Sequence, residues 1–291
     1  MAISRRDCQQ ARSNAASALA CPAFASSPVS GDTVVVCISS WTSGGLTHQA
    51  PTDSQANTYT QIGTTQAGAS GDFQMSMWKS ENITGGASFV VTGHISISAT
   101  ITCIAVCLTG ANTPTSYNGD TVAATATSAN PASGTSSPAP AANSYFLACC
   151  SKGATNIPTA GSGWQFFTNS TQTDNVTFQD LYVEESTTTS SSAMNGTFTV
   201  ASENWVARVA SFAPAAPLSV DQFGFRARND DGSETTATWQ AAQNTAFTIT
   251  PDQVFRLRLG VNATGDPVSA GYKLQYRKVG AASWRNVDKF V

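Results

Sequence analysis

His94-Ile95-Ser96-Ile97-Ser98-Ala99-Thr100-Ile101-Thr102-Cys103-Ile104-Ala105-Val106-Cys107-Leu108-Thr109 is the longest uninterrupted β-favouring run of the chain. Ile95, Ile97, Ala99, Ile101, Cys103, Ala105 and Cys107 fall on one face at period two. The other face opens polar, with Ser96, Ser98, Thr100 and Thr102, and turns apolar at Ile104, Val106 and Leu108. This pattern predicts a strand half exposed at its start and buried on both faces at its end. Thr33–Trp41, where Val34, Val36 and Ile38 oppose Val35, Cys37 and Trp41, reads as a second central strand and the natural neighbour of the first.

Working outward, period-two signals recur at Thr58–Ile62, Phe73–Trp78, Ser88–Thr92, Thr121–Thr127, Ser144–Ser151, Gly163–Thr168, Phe178–Glu185, Gly196–Ala201 and Trp205–Phe212. Residues 43–57 and 128–142 read as loops, and Ile3–Phe24 as one or two outer strands or an arm reaching a neighbour. With no helical period anywhere, the expectation is an all-β chain whose residues 1–213 form a large jelly-roll-like β-sandwich with an N-terminal arm. Pro214-Ala215-Ala216-Pro217 breaks the pattern and separates segments of different charge. Six Lys and Arg stand against eleven Asp and Glu in residues 1–213, and nine against seven in 214–291. Residues 218–291 predict a small immunoglobulin- or fibronectin-like sandwich, with Trp239, Phe255, Leu257 and Trp284 as its core.

Composition excludes several functions. Charged residues make up 11% of the chain and the net charge is −3, so the surface is neutral-polar and lacks the dense Lys/Arg face that a nucleic-acid partner needs. The opening 25 residues hold only fragments of a secretory signal, and no segment approaches the ~20 apolar residues of a membrane span. His48 and His94, the only histidines, adjoin no nucleophile motif. Glu184-Glu185 is an adjacent acidic pair at a strand end, but neighbours on a strand point to opposite faces, so the two cannot act together as a glycosidase pair. Asn229-Asp230-Asp231-Gly232 reads as a hairpin turn rather than a calcium loop. No catalytic residue, metal site or cofactor is expected.

Seven cysteines match no zinc spacing. Cys103 and Cys107 share a strand face ~13 Å apart, too far to bond each other, and Cys149 and Cys150 face opposite ways. Cys37, Cys103, Cys107, Cys149 and Cys150 lie in apolar strands, as core thiols or as partners in an internal disulfide such as Cys37 with Cys103 or Cys107. Cys8 and Cys21, in polar N-terminal sequence, are the candidates for a cross-link between subunits. Trp41, Trp78 and Trp164 are either core or a platform on which a sugar ring stacks.

Phe225-Arg226-Ala227-Arg228-Asn229-Asp230-Asp231-Gly232-Ser233-Glu234-Thr235-Thr236-Ala237-Thr238-Trp239, followed by Leu274-Gln275-Tyr276-Arg277-Lys278-Val279-Gly280 and Ser283-Trp284, resembles a β-sandwich module of tailed-bacteriophage virion surface proteins. Gly31-Asp32 before an apolar strand, and Asp53-Ser54-Gln55-Ala56-Asn57-Thr58-Tyr59-Thr60, are similar to a companion module, with Ala56 standing where the turn usually carries Gly. The resemblance implies a surface module and no reaction. It leads to the expectation of a non-enzymatic structural protein made in a host cytoplasm and displayed on the virion surface. Head decoration or a neck or tail appendage is the expected position, with other virion proteins and copies of itself as partners. A carbohydrate-binding adhesin gripping a host-surface glycan is the alternative, and a glycoside hydrolase a more distant one.

Overall fold

A computed structural model describes residues 2–41, 45–113, 115–120, 123–137, 140–153, 158–167, 180–217, 219–233, 235–250, 252–265, 275–276, 282–283 and 285–286. The described residues contain strands and no helix, and every strand pair is antiparallel. The chain divides into two units, Met1–Ala216 and Pro217–Val291, at the Pro-Ala-Ala-Pro stretch.

Strands β1 (Ser4–Ala20), β2 (Thr33–Trp41), β3 (His48–Asp53), β4 (Thr60–Ala67), β5 (Phe73–Ser80) and β6 (Val91–Thr109) form one sheet in the order β1-β6-β2-β5-β4, with β3 also paired to β6. The stretch His94–Thr109 lies in β6, the spine of this sheet. It pairs with β1 on one side along nearly its whole length; on the other side β2 takes its second half and β3 its first. Ser96–Ser98 are exposed and Ile101–Leu108 buried, in keeping with the change of pattern in the sequence. β3 falls within a stretch that reads as loop, because Gln49, Ala50 and Pro51 break the alternation.

The second half of the unit repeats this plan. It contains β7 (Tyr117–Asp120), β8 (Ala124–Ser128), β9 (Ala132–Thr135), β10 (Tyr145–Lys152), β11 (Thr159–Ala160), β12 (Trp164–Phe166), β13 (Asp180–Ser186), β14 (Asn195–Thr199) and β15 (Glu203–Phe212). Its main sheet runs β12-β13-β10-β15-β7, with β8 also on β15, and a small sheet runs β11-β14-β9. If β7, β8 and β9 together stand for β1, and β14 and β15 for a β6 broken at residues 200–202, every pairing of the first half recurs in the second. The spine β15 has β7 and β8 on one side and β10 on the other, then β13 and β12, while β11 sits on β14 as β3 sits on β6.

The two sheets face each other. Val35, Cys37, Ile104 and Val106 of the first meet Leu147, Cys149, Val183 and Val206 of the second in one core. Cys37 and Cys149, each the fifth residue of β2 and β10, both lie in this core, and Ser39 and Ser151, each the seventh, hydrogen-bond each other through their hydroxyls. Like meeting like is the signature of a two-fold relation between copies. The outer face of each sheet is buried as well. Cys21, Phe24, Trp78 and Phe89 cover the first, and Trp164, Phe198 and Trp205 the second. Burial on both faces is why these strands read as continuous apolar runs.

A jelly roll draws both of its sheets from interleaved strands. Here each main sheet comes from one contiguous half of unit 1, so its β-sandwich has a different topology. In unit 2, the described residues form a hairpin of β16 (Ser219–Asn229) with β17 (Phe255–Thr264) and a short pair of β18 (Gln275–Tyr276) with β19 (Arg285–Asn286). Trp239 and Leu257 are 37% and 41% exposed and so are not core, because no second layer covers the hairpin among the described residues. Phe255 is half-buried against Phe247, and Trp284 lies outside the described residues.

All seven cysteines are buried and none is in a disulfide. Cys37 points into the inter-sheet core while Cys103 and Cys107 point to the opposite face, which rules out the internal bonds considered from sequence. Cys149 belongs to the inter-sheet core and Cys150 to the outer one. Cys8 and Cys21 are 2% and 3% exposed, so neither offers the accessible thiol that a cross-link to a neighbour needs. Burial pushes the Cys8 thiol up to about 11, and Cys107 and Cys150 upward too, which suppresses the reactive thiolate. A disulfide-exchange reagent at pH 8 should therefore read almost no thiol in the native chain and all seven in guanidinium, with equal gel mobility reduced and non-reduced. Rapid labelling of Cys8 or Cys21 in the native chain would refute the burial.

The turn after β3 is organised by the Asp53 carboxylate. It accepts from Gln55 N (2.8 Å), Asn57 N (3.2 Å), Asn57 Nδ2 (3.0 Å) and the Tyr59 hydroxyl (2.9 Å). Ala56 sits in this turn at φ 57°, the left-handed region where a Cβ costs about 1 kcal/mol. Ala56→Gly should accordingly raise unfolding stability by up to about 1 kcal/mol in a urea titration. A loss of stability would mean that the side chain earns more than the strain.

Candidate functional site

Two clefts open where an edge strand of one copy meets the first strands of the other. The larger, of about 610 Å³, lies between Gly63 and Thr64 after the start of β4 and Asp120, Ala124, Ser133 and Thr135 of β7–β9. The smaller, of about 280 Å³, lies between Ser4 and Arg5 of β1 and Gln165, Glu185 and Ser186 of β12 and β13. They correspond to one another under the same relation that matches the two sheets.

Each cleft is floored by an arginine that ties the copies together. Arg208, 2% exposed, donates through Nη1 to Ile62 O (2.6 Å) and Asp120 Oδ2 (2.8 Å), and through Nη2 to Thr64 O (2.9 Å). Gly63 lies directly against it: a Cβ there would stand 1.7 Å from Nη1. Arg5 makes a bidentate pair with Glu185 (2.9 and 3.1 Å) and lies over the Phe167 ring at 4.8 Å. Glu185 also accepts from the Tyr145 hydroxyl and from Gln165 Nε2 (2.9 Å). Both carboxylates are thus engaged by guanidinium groups, and the remaining lining mixes hydroxyls with the Gln165 amide and the apolar Ile3 and Ala124. Such walls suit a neutral polar ligand better than proton transfer.

Elsewhere, polar groups placed for chemistry prove to be structural. His48 is bonded on both ring nitrogens, Nε2 to Ser40 Oγ (2.7 Å) and Nδ1 to Ser76 Oγ (2.6 Å). A serine beside a histidine is what a nucleophile requires, yet burial lowers the His48 pKa to about 4 and Ser40 is fully buried. The imidazole stays neutral, a weak base out of reach of substrate. His94 Nε2 bonds Thr52 Oγ1 at 2.9 Å. Glu184 and Glu185 do face opposite ways. Glu184 lies wholly buried in the outer layer, with Oε2 accepting from Gly161 N (3.3 Å) and Oε1 without a hydrogen-bond partner. Burial raises its pKa to about 8, so it is a neutral acid at physiological pH.

Asp7 and Asp32, also buried, cap backbone and bridge strands: Asp7 accepts from Cys8 N and Ser26 N, Asp32 from Arg6 and Val29 N. Among the described residues no group of three or more His, Cys, Asp or Glu could hold a metal ion. Nor is any helix long and apolar enough to cross a membrane, which says nothing of a β-barrel.

Trp78 and Trp164 are 7% and 6% exposed, packed in the outer cores with Nε1 donating to Ser76 Oγ (2.8 Å) and Asn195 O (3.0 Å). Trp41 is half-buried and stacks on Phe73, with ring centroids 6.5 Å apart. The structure does not gather the three into one surface, and the buried pair offers no ring to a sugar. Arg208 and Arg5, which shape the clefts, were not singled out from the sequence. The clue for Arg208 is its place in Trp205–Phe212, where a charge inside an apolar run demands a buried partner.

No protein family matches this chain, and no characterised protein or solved structure does. Its fold defines it as an all-β protein of antiparallel sheets.

Proposed function

We propose that this chain is a non-enzymatic structural protein of a tailed-phage virion, displayed on the particle exterior as a head decoration or as a neck or tail appendage. The observation that carries the reading is how unit 1 uses its charges. Asp7, Asp32, Glu185 and Arg208 are all buried in contacts that tie strand to strand or sheet to sheet. A body that uses its ionisable groups for internal fastening, under a neutral-polar surface, serves as a durable spacer. The resemblance of the Phe225–Trp239 and Asp53–Thr60 segments to virion surface modules points the same way. Its partners are other virion proteins and copies of itself.

Mass spectrometry of purified particles, with antibody labelling of intact ones, tests the reading. Peptides of this chain in the particle and label on its outside are expected; their absence overturns it. The adhesin alternative rests on the larger cleft, where Thr64, Ser133, Thr135 and Ser137 offer hydroxyls beside Ala124, rather than on the tryptophans. A neutral-glycan array in which Thr135→Val abolishes binding would favour it.

A further inference from the structure

An open strand edge is a liability that unit 1 manages and unit 2 does not. In unit 1, Arg208 occupies the Ile62 and Thr64 carbonyls at the β4 edge, and β12 is only three residues long. In unit 2, β17 runs for ten residues without a proline or a bulge, the bulge of this hairpin being on β16 between Gln222 and Gly224. Among the described residues it pairs with β16 alone.

Which of its backbone groups face outward follows from the far side of β16. Asn229 N donates to Thr238 O (2.9 Å), Gln240 N to Ala227 O (3.1 Å) and Asn244 N to Phe225 O (2.9 Å). Phe225, Ala227 and Asn229 therefore turn their backbone away from β17. In an antiparallel pair the residues opposite them do likewise. Those are Leu259, Leu257 and Phe255, and the unbroken period of β17 adds Val261. Their N–H and C=O groups line the outer edge, while Arg256 and Arg258 direct theirs to β16. The side chains of the same four residues share one face of the hairpin, where Leu257, Leu259 and Val261 are 41%, 38% and 57% exposed. Exposed in a row on a chain whose surface is otherwise neutral-polar, they mark a contact face.

We propose that this edge is a self-association surface, on which β17 of a second copy pairs antiparallel about a two-fold axis at Leu259. The strand is complementary to itself in that register. Leu259 meets Leu259, Leu257 meets Val261 and Phe255 meets Ala263, each exchanging both main-chain bonds, so one apolar face continues across the pair. On the other face Arg258 meets Gly260 and Arg256 meets Asn262, and no arginine opposes another. An axis at Leu257 would set Arg256 against Arg258, and one at Gly260 would leave Leu257 opposite only Ala263. An unrelated extended peptide would gain the same main-chain bonds without this match of faces and charges. The two-fold pair closes the open edge of both copies and so stops at a dimer. It names a surface for the self-association included in the virion reading but rests on the hairpin alone, so the failure of either leaves the other standing.

Sedimentation velocity of the full chain tests this. The mass should rise from 30.2 kDa toward twice that between about 1 and about 200 μM. Leu259→Pro should hold it at the monomer mass, because the ring removes an N–H that the β16–β17 ladder does not use. Leu259→Lys and Leu259→Glu should each be monomeric, since like charges then meet at the axis. An equimolar mixture of the two should regain the dimer mass, which also shows that both variants are folded. A wild-type chain that stays monomeric at the higher concentration, a Leu259→Pro chain that dimerises like wild type, or a charge-swapped mixture that stays monomeric would overturn the proposal.

Discussion

Replacing Arg208 by alanine is expected to lower unfolding stability by about 3–5 kcal/mol, the cost of removing one partner from a buried charged contact. Three acceptors lose their donor at once: Ile62 O, Thr64 O and Asp120 Oδ2. Two of them belong to the first copy and one to the second, so the loss strikes the joint between copies rather than one strand. Asp120→Asn should cost less, because that side chain is 21% exposed and water can reach it. Gly63→Ala should reproduce part of the loss by another route. Its backbone sits at φ 62°, and an added methyl must displace the guanidinium. Urea titrations of the three variants give the order Arg208→Ala, Gly63→Ala, Asp120→Asn; an Arg208→Ala midpoint equal to wild type would show that the arginine fastens nothing.

The second large effect is a dependence of stability on pH set by Glu184. Its folded pKa is raised from 4.5 to about 8, so the folded chain keeps a proton that the unfolded chain has lost. Stability is therefore full below pH 4.5, declines as pH rises through 8 and levels off above. At about 1.4 kcal/mol per unit the whole decline amounts to at most about 5 kcal/mol. His48 acts in the opposite sense. Its pKa falls from 6.5 to about 4, so its contribution is full above 6.5 and is lost as pH falls toward 4. Between 4.5 and 6.5 the two slopes cancel, and the decline due to Glu184 emerges above 6.5. Glu184→Gln should remove that alkaline decline and unmask the acid loss due to His48, and His48→Gln should let the Glu184 decline begin already at pH 4.5, in denaturation midpoints measured at pH 4, 6 and 9. A Glu184→Gln chain as alkali-sensitive as wild type would refute the assignment.

Much of the fold was legible in the sequence because strands bury alternate residues. The period-two pattern of Thr33–Trp41 and His94–Thr109 located two strands that do pair; their register came only with the structure. It also placed Cys149 and Cys150 on opposite faces. Where the period is broken by a proline, as at Pro51 in β3, or shortened to a few residues, as in β9, the strand passed for loop. The candidate site was less legible. Trp78 and Trp164 could be core or platform by pattern, and only the layers over the outer faces, which hold Phe24 and Phe198, decide for core.

By itself, then, the sequence determined the all-β class, most strand positions, the break at Pro214–Pro217 and the scarcity of catalytic groups. These follow from local spacing and composition. The tertiary structure alone decided that the first unit is one plan used twice, that Cys37 meets Cys149, and that Arg208 reaches Ile62. It alone set the guanidinium groups of Arg226, Arg228 and Arg258 around Trp239. Periodicity says which residues share a face; what covers that face depends on strands that are far apart in the chain and carry no mark of their partners.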